Sequence, residues 1–131
     1  MRKLIIAVAV TAAAPAAIAG GVDGTWRTEA GEDGGYLEVT MAPCETDPGK
    51  TCGTISKAFN KQGPDPDYEN LGKLMVKDMT SKDGTRYSGG TIWDPEKNKT
   101  YKSKMELKDG ELDVEGCISF ICSGQDWKRV K

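Results

Sequence analysis

The chain has 131 residues, with 18 basic and 20 acidic side chains, four cysteines and no histidine, for a formal net charge of −2. The missing histidine excludes Ser-His-Asp and Cys-His catalysis, His-ligated zinc and a histidine pH switch. The acidic balance makes nucleic acid a poor partner, because phosphate binding needs a basic surface.

Met1, Arg2 and Lys3 form a cationic start, and an apolar run from Leu4 to Ala19 ends in Ala17-Ile18-Ala19. That is the small-x-small pattern a signal peptidase reads, so residues 1–19 are expected to be a secretory signal peptide cut before Gly20. Pro15 and the many alanines leave the run short and weakly apolar for a membrane span of ~20 residues. No cysteine stands at the junction for lipid attachment, and no membrane span is expected after cleavage. The mature chain, residues 20–131, is then one periplasmic or secreted domain. Loss of Arg2 and Lys3 leaves 16 basic against 20 acidic side chains, a balance of −4. The acids divide evenly about Leu71, ten on each side, but 12 of the 16 bases follow it, which reads as two differently charged solvated faces.

In the mature part, glycines and prolines punctuate short alternating runs. Eight strands are predicted, at about Gly24–Glu29, Tyr36–Met41, Cys52–Phe59, Lys73–Met79, Arg86–Trp93, Thr100–Lys108, Glu111–Ser119 and Ser123–Val130. Turn signals separate them at Gly31 to Gly35, Asp47-Pro48-Gly49, Lys82-Asp83-Gly84, Asp94-Pro95 and Asp109-Gly110. The rhythm is clearest from Lys99 to Lys108. Tyr101, Ser103, Met105 and Leu107 fall on one face, and Lys102, Lys104, Glu106 and Lys108 on the other. After the Asp109-Gly110 hairpin signal, Leu112, Val114, Gly116 and Ile118 continue the same face. Hairpin-linked strands of even length suggest an all-β, eight-stranded antiparallel up-and-down barrel, whose closure removes exposed edges. Eight strands leave room inside for side chains or one small ligand.

Cys44, Cys52, Cys117 and Cys122 allow three pairings. Cys44–Cys52 and Cys117–Cys122 are expected, because each pair brackets one turn between two strands. Disulfides suit an exported chain of this size and contribute ~2–3 kcal/mol each on the loop-entropy model. Neither spacing is the C-x-x-C that tunes a reactive thiol.

In a closed barrel the first and last strands are neighbours. Trp26 would then plug one end with the Arg129 guanidinium over its ring, and Trp127 beside it, as the barrel's closure. Gly89-Gly90 sits in mid-strand and reads as a sharp bend at a barrel corner. The inferred inward face offers Tyr87, Ile92, Tyr101, Met105, Leu107, Leu112 and Val114 as candidate cavity residues. Methionine adapts to irregular shapes, and tyrosine adds one hydroxyl to an apolar ring. The same face also suits an ordinary filled core. Asp65, Asp67, Glu69 and Asn70 gather oxygen atoms in the long connection from Asn60 to Gly72. The calcium-loop pattern fails there, since position 6 is Asn70 rather than glycine and position 12 is Val76 rather than glutamate. A solvated loop is expected, with no metal. No nucleophile elbow, phosphate loop or dinucleotide fingerprint is present, so neither a catalytic residue nor a cofactor is expected.

Gly24-Thr25-Trp26 with the late Arg129 resembles the lipocalin and calycin class of barrels. The order of motifs resembles, more closely, the bacterial envelope family known as domain of unknown function 2147. Gly24-Thr25-Trp26 leads to Cys44 and Cys52-Gly53-Thr54-Ile55, then Gly89-Gly90-Thr91-Ile92-Trp93-Asp94-Pro95 with Thr100-Tyr101. Leu112-Asp113-Val114-Glu115-Gly116-Cys117 and Trp127-Lys128-Arg129 complete the set. The chain departs from the pattern at Gly72-Lys73-Leu74-Met75, where the family usually carries arginine and proline. The resemblance implies a lipocalin-like barrel in the periplasm and brings no established activity.

The expected function is therefore non-catalytic binding of a small, largely apolar ligand inside the barrel. The alternative is a filled scaffold that presents its surface to an envelope protein, for example as an inhibitor. Its candidate surfaces are the acidic Asn60–Gly72 connection and the row Lys102, Lys104 and Lys108. A void of several hundred cubic ångströms favours the first reading, and a close-packed interior the second.

Overall fold

The structure, a computed structural model, describes residues 21–131. The expected signal peptide lies outside the described residues. Nine strands follow one another: β1 (Gly24–Arg27), β2 (Tyr36–Pro43), β3 (Thr51–Asn60), β4 (Gly63–Pro64), β5 (Leu74–Met79), β6 (Arg86–Asp94), β7 (Lys99–Lys108), β8 (Glu111–Ile118) and β9 (Ile121–Arg129). All pairings are antiparallel, and the sheet order β2-β1-β9-β8-β7-β6-β5-β3 closes because β2 also pairs with β3. Eight strands thus form the barrel. The two-residue β4 only folds back on the end of β3, with Phe59 opposite Pro64.

The meander sorts the connections to two ends. Residues 28–35, 61–73, 95–98 and 119–120 gather at one end. Residues 44–50, 80–85 and 109–110 gather at the other, together with residues 21–23. The turn at Asp109-Gly110 has φ of 45° and 82°, the left-handed pair that a tight hairpin requires. The disulfides Cys44–Cys52 and Cys117–Cys122 both form, with Cα atoms 4.9 and 4.0 Å apart. One staples the β2–β3 turn and the other the β8–β9 turn, so each end carries one. Such bridges mark an oxidising, extracytoplasmic compartment.

Alternation places the predicted faces of β7 and β8 largely as expected. Met105, Leu112 and Val114 are buried while Lys102 and Lys104 are exposed. Ser103, also buried, donates its Oγ hydrogen to the Glu115 carbonyl at 2.7 Å, so this inward polar group is satisfied. Ile118 departs from the pattern: it is 67% exposed, because β8 has by then run past the packed interior and Cys117 is the residue its disulfide buries. The paired glycines of β6 sit at a bulge, where the β6–β7 register jumps between Tyr87 and Gly90. Gly89 has φ of 86°, and a Cβ on Gly90 would lie 2.0 Å from the Lys77 carbonyl oxygen. The bend therefore lets β6 press against β5 backbone, which answers why two glycines stand there.

Candidate functional site

The barrel interior is divided along its axis. At the end that holds residues 21–23 it is solid. Trp26, Val39, Met41, Val76, Met79, Tyr87, Met105 and Leu112 pack there as one buried cluster with Val22 and Trp127. Gly53 makes this closure possible, because a Cβ there would meet Met41 Sδ at 2.8 Å and Val39 Cγ1 at 2.9 Å. Trp26 is fully buried, and its Nε1 donates to the Val22 carbonyl at 2.9 Å. The Arg129 guanidinium lies 4.3 Å from the Trp26 ring centroid and donates to the carbonyls of Gly21 and Asp23, each at 3.1 Å. One cation thus stacks on the plug and ties down the segment in front of it. Burial pushes the pKa of Asp23 up, and burial with the nearby Asp23 charge pushes up that of Tyr87, whose hydroxyl donates to the Gly84 carbonyl.

The opposite half is open. A cavity of about 820 Å³ reaches from the mouth loops to Trp127. Its walls are apolar and aromatic: Leu37, Phe59, Met75, Ile92, Tyr101 and Val114. Tyr36 and Phe59 stack at 4.6 Å between ring centroids, which stiffens one wall. Trp127, 1% exposed and part of the packed cluster, underlies the floor and donates its Nε1 hydrogen to Gln125 Oε1 at 2.9 Å, so its polar atom is satisfied. Gly116 leaves room along β8, while Gly124 lets β9 approach β8 closely, since a Cβ there would press on the Val114 carbonyl oxygen. Ile118 and Ile121 form an apolar lip, and beside them Phe120 is 90% exposed at the tip of the stapled hairpin.

This geometry redraws the expected cavity wall. Ile92, Tyr101 and Val114 line the cavity, whereas Tyr87, Met105, Leu107 and Leu112 do not. Tyr87, Met105 and Leu112 lie in the packed half, and the partly buried Leu107 packs against it. They share a face with the lining residues but sit lower on the axis. Of the closure residues, Trp26 and Arg129 stand at the closed end, while Trp127 doubles as cavity floor. Leu37, Phe59, Met75 and Trp93 went unrecognised in the sequence. Leu37 and Phe59 lie within predicted strands whose facing the pattern does not give, and Trp93, inside β6, follows the inward-read Ile92 and so falls on the other face by strict alternation.

The barrel seam is unusual at this height. β1 and β9 share only two paired positions, Trp26 with Arg129 and Arg27 with Lys128. Above them, Glu29 accepts the Asp126 amide at 2.8 Å, and Gln125 Oε1 accepts the Glu29 amide at 3.2 Å. Side chains therefore close the seam where the strand ladder ends. The 61–73 connection is a chain of turns rather than a free loop. Asp65 donates its amide to the Ala58 carbonyl, and Gly72 donates to Ile55. Asn70 is buried, and its Oδ1 accepts the Lys73 ammonium at 2.8 Å, so a cation side chain occupies the oxygen once considered for calcium. Among the described residues, the groups with metal-capable atoms are Cys44, Cys52 and Asp78, and Glu115, Cys117 and Cys122. Both contain a bridged pair, which offers no thiolate. No helix among the described residues is long and apolar enough to cross a membrane.

Comparison with solved structures finds the Helicobacter pylori protein HP1028, described as belonging to the lipocalin family. It shares 15% identity over 84% of this chain and 83% of that one, with a TM-score of 0.63. At that identity the likeness concerns the fold, a lipocalin-like barrel. No curated protein matches the sequence. The family model described as an uncharacterized protein conserved in bacteria, DUF2147, matches residues 24–129, from the first strand through Arg129, and the chain therefore belongs to that family.

Proposed function

We propose that the protein is a non-catalytic barrel of the periplasm that holds one small, largely apolar ligand in its open half. The observation that carries this reading is the cavity of about 820 Å³ with a sealed floor. Ligand pockets commonly span roughly 300–1,000 Å³ and combine apolar walls with a few polar groups. Here Leu37, Met75, Ile92 and Val114 would exclude water from the ligand body, and the rings of Phe59, Tyr101 and Trp127 would supply rigid contact area. The fold of the H. pylori relative supports a small-ligand role by analogy of architecture. The rival scaffold reading needs a filled interior, and the packed cluster fills only the closed half.

The test is native mass spectrometry of protein purified from envelope without detergent, followed by titration with apolar fluorescent probes. Tryptophans 93 and 127 line the cavity and report occupancy. A co-purified small molecule, or saturable one-to-one probe binding, is expected. An empty protein that binds no apolar probe would overturn the proposal.

A further inference from the structure

The cavity has a charge pattern that apolar binding alone does not require. Its lining includes Glu29, Asp33, Asp65, Asp94 and Glu96, against one cation, Lys97. These six come from three separate segments that converge on the mouth: the β1–β2 connection, the 61–73 turns and the β6–β7 turn. Among the described residues, ion pairs within 4 Å involve Lys50 with Asp47, Arg86 with Glu106, Lys108 with Glu106 and Asp113, and Lys128 with Glu111. None of the six mouth charges takes part. Three of the carboxylates have local roles as acceptors: Glu29 for the Asp126 amide, Asp33 for that of Gly35, and Asp94 for those of Glu96 and Lys97. Those bonds hold the carboxylates in place without neutralising them.

Aromatic rings stand in the same zone. Tyr36, Phe59, Tyr68 and Trp93 all line the cavity. Two of them already carry cations of the chain itself: Arg27 lies 4.5 Å from the Tyr36 ring centroid, and Lys73 lies 5.9 Å from that of Trp93. Neither cation lines the cavity, but Tyr36 is covered on both faces, by Phe59 and Arg27, so the rings left for a guest cation are Phe59, Tyr68 and Trp93, by their negative faces and not their positive edges. Ring quadrupoles attract cations, and carboxylates of one sign around a low-dielectric opening focus that attraction.

We infer that the ligand is an amphipathic organic cation, its apolar body seated on Trp127 and its positive head held among the aromatic and carboxylate side chains of the mouth. This rests on the ligand-binding reading above and narrows it. An anionic amphiphile, such as a fatty acid, would place its head among five carboxylates that form no ion pair within 4 Å and is disfavoured. The acids also set the orientation, because the sealed floor offers a charged head no partner.

Three probes with the same octyl tail separate the possibilities: octyltrimethylammonium, octyl glucoside and octyl sulfate. Each is titrated below its micellar concentration, with tryptophan emission as readout and near-UV circular dichroism as a check of native packing. The cation is expected to bind at least ~10-fold more tightly than the anion at low salt. The gap should narrow as ionic strength rises toward ~0.5 M and screening shortens. The double variant D65N/E96Q alters two carboxylates with no side-chain hydrogen bond to the backbone. It should narrow the cation-over-anion gap at low salt, with the near-UV circular dichroism unchanged. Equal binding of all three probes, or tighter binding of the sulfate, overturns the cation inference and leaves the apolar-cavity reading standing. Failure of all three to bind overturns both.

Discussion

Gly116 offers a direct test of whether the cavity is where ligand binds. It lies on β8 in the cavity wall, opposite Ser103 on β7 and Ser123 on β9. A Cβ there would meet Ile92 Cγ2 and Tyr101 Cβ at 3.4 Å, ordinary contacts, and its φ lies outside the left-handed region. The rest of a leucine side chain would then pass between Ile92 and Tyr101 toward the cavity they line. G116L brings four carbons into the cavity. If each displaces one ligand methylene contact worth ~0.8 kcal/mol, up to ~3 kcal/mol of binding is lost. At ~1.4 kcal/mol per decade, that is about two orders of magnitude in Kd. Stability should hold or rise, since glycine inside a strand is worse than a residue with a side chain by ~0.5–1 kcal/mol. The assay pairs probe titration by tryptophan fluorescence with thermal melting. An unchanged Kd in a natively folded G116L would refute the cavity as the binding site. A sharp fall in Tm would refute the open geometry itself.

Other perturbations separate the parts of the barrel. R129K should lose the stack on Trp26 and the forked bonds to Gly21 and Asp23. With each contact worth ~0.5–1.5 kcal/mol, Tm should fall by roughly 5–10 °C in differential scanning calorimetry, and a fall below 2 °C would show that the plug holds without it. G90A forces a Cβ against the Lys77 carbonyl oxygen and Met79 Sδ. Backbone paired in a ladder cannot retreat cheaply, so ~2–3 kcal/mol of stability should be lost in a urea titration; wild-type stability would disprove the close approach. Asp83 is held below its ordinary value of 3.8 chiefly by the backbone amides of Arg86 and Thr85. A depressed carboxylate contributes stability that is full above its unfolded value and is lost as pH falls through the folded one. Melting from pH 6 down to about pH 3 should therefore show a smaller acid-induced drop for D83N than for the wild type, and identical profiles would remove Asp83 from the acid response.

The residue rhythm made the barrel legible but not its depth. A period of two says which face a side chain takes, and on β7 it separated Met105 from Lys104 correctly. It says nothing about height along the axis. Tyr101 and Met105 share a face, yet the first lines the cavity and the second packs the closed half. That boundary depends on Gly53 admitting Val39, Met41 and Val76 to one spot, a contact between three strands that no local pattern contains. The disulfides were legible because each joins residues flanking a single turn. β4 was not, since two residues after a turn carry no period. The seam residues Glu29 and Gln125 were missed for the same reason: their partners are nearly a hundred positions away.

The axial division also explains how so small a domain carries a void. A chain of this length buries only about two thirds of the surface its unfolded form exposes, so it has little packing to spare. Atoms lining an empty space lose contacts outright. The closed half concentrates the buried cluster, and the mouth is held by other means: the Glu29–Gln125 clasp and the Cys117–Cys122 bridge. That bridge stands where packing contributes least, because Ile118, Phe120 and Ile121 around it are all more than two-thirds exposed or nearly so, at 67%, 90% and 69%. A cross-link acts on the unfolded chain and needs no core beneath it. Replacing Cys117 and Cys122 together by serine should thus speed amide exchange in the β8–β9 hairpin more than in β5 and β6, whose amides open only with the closed half. Equal acceleration in both regions would mean that the mouth and the packed half unfold as one unit, and the separation of cavity from core would fail.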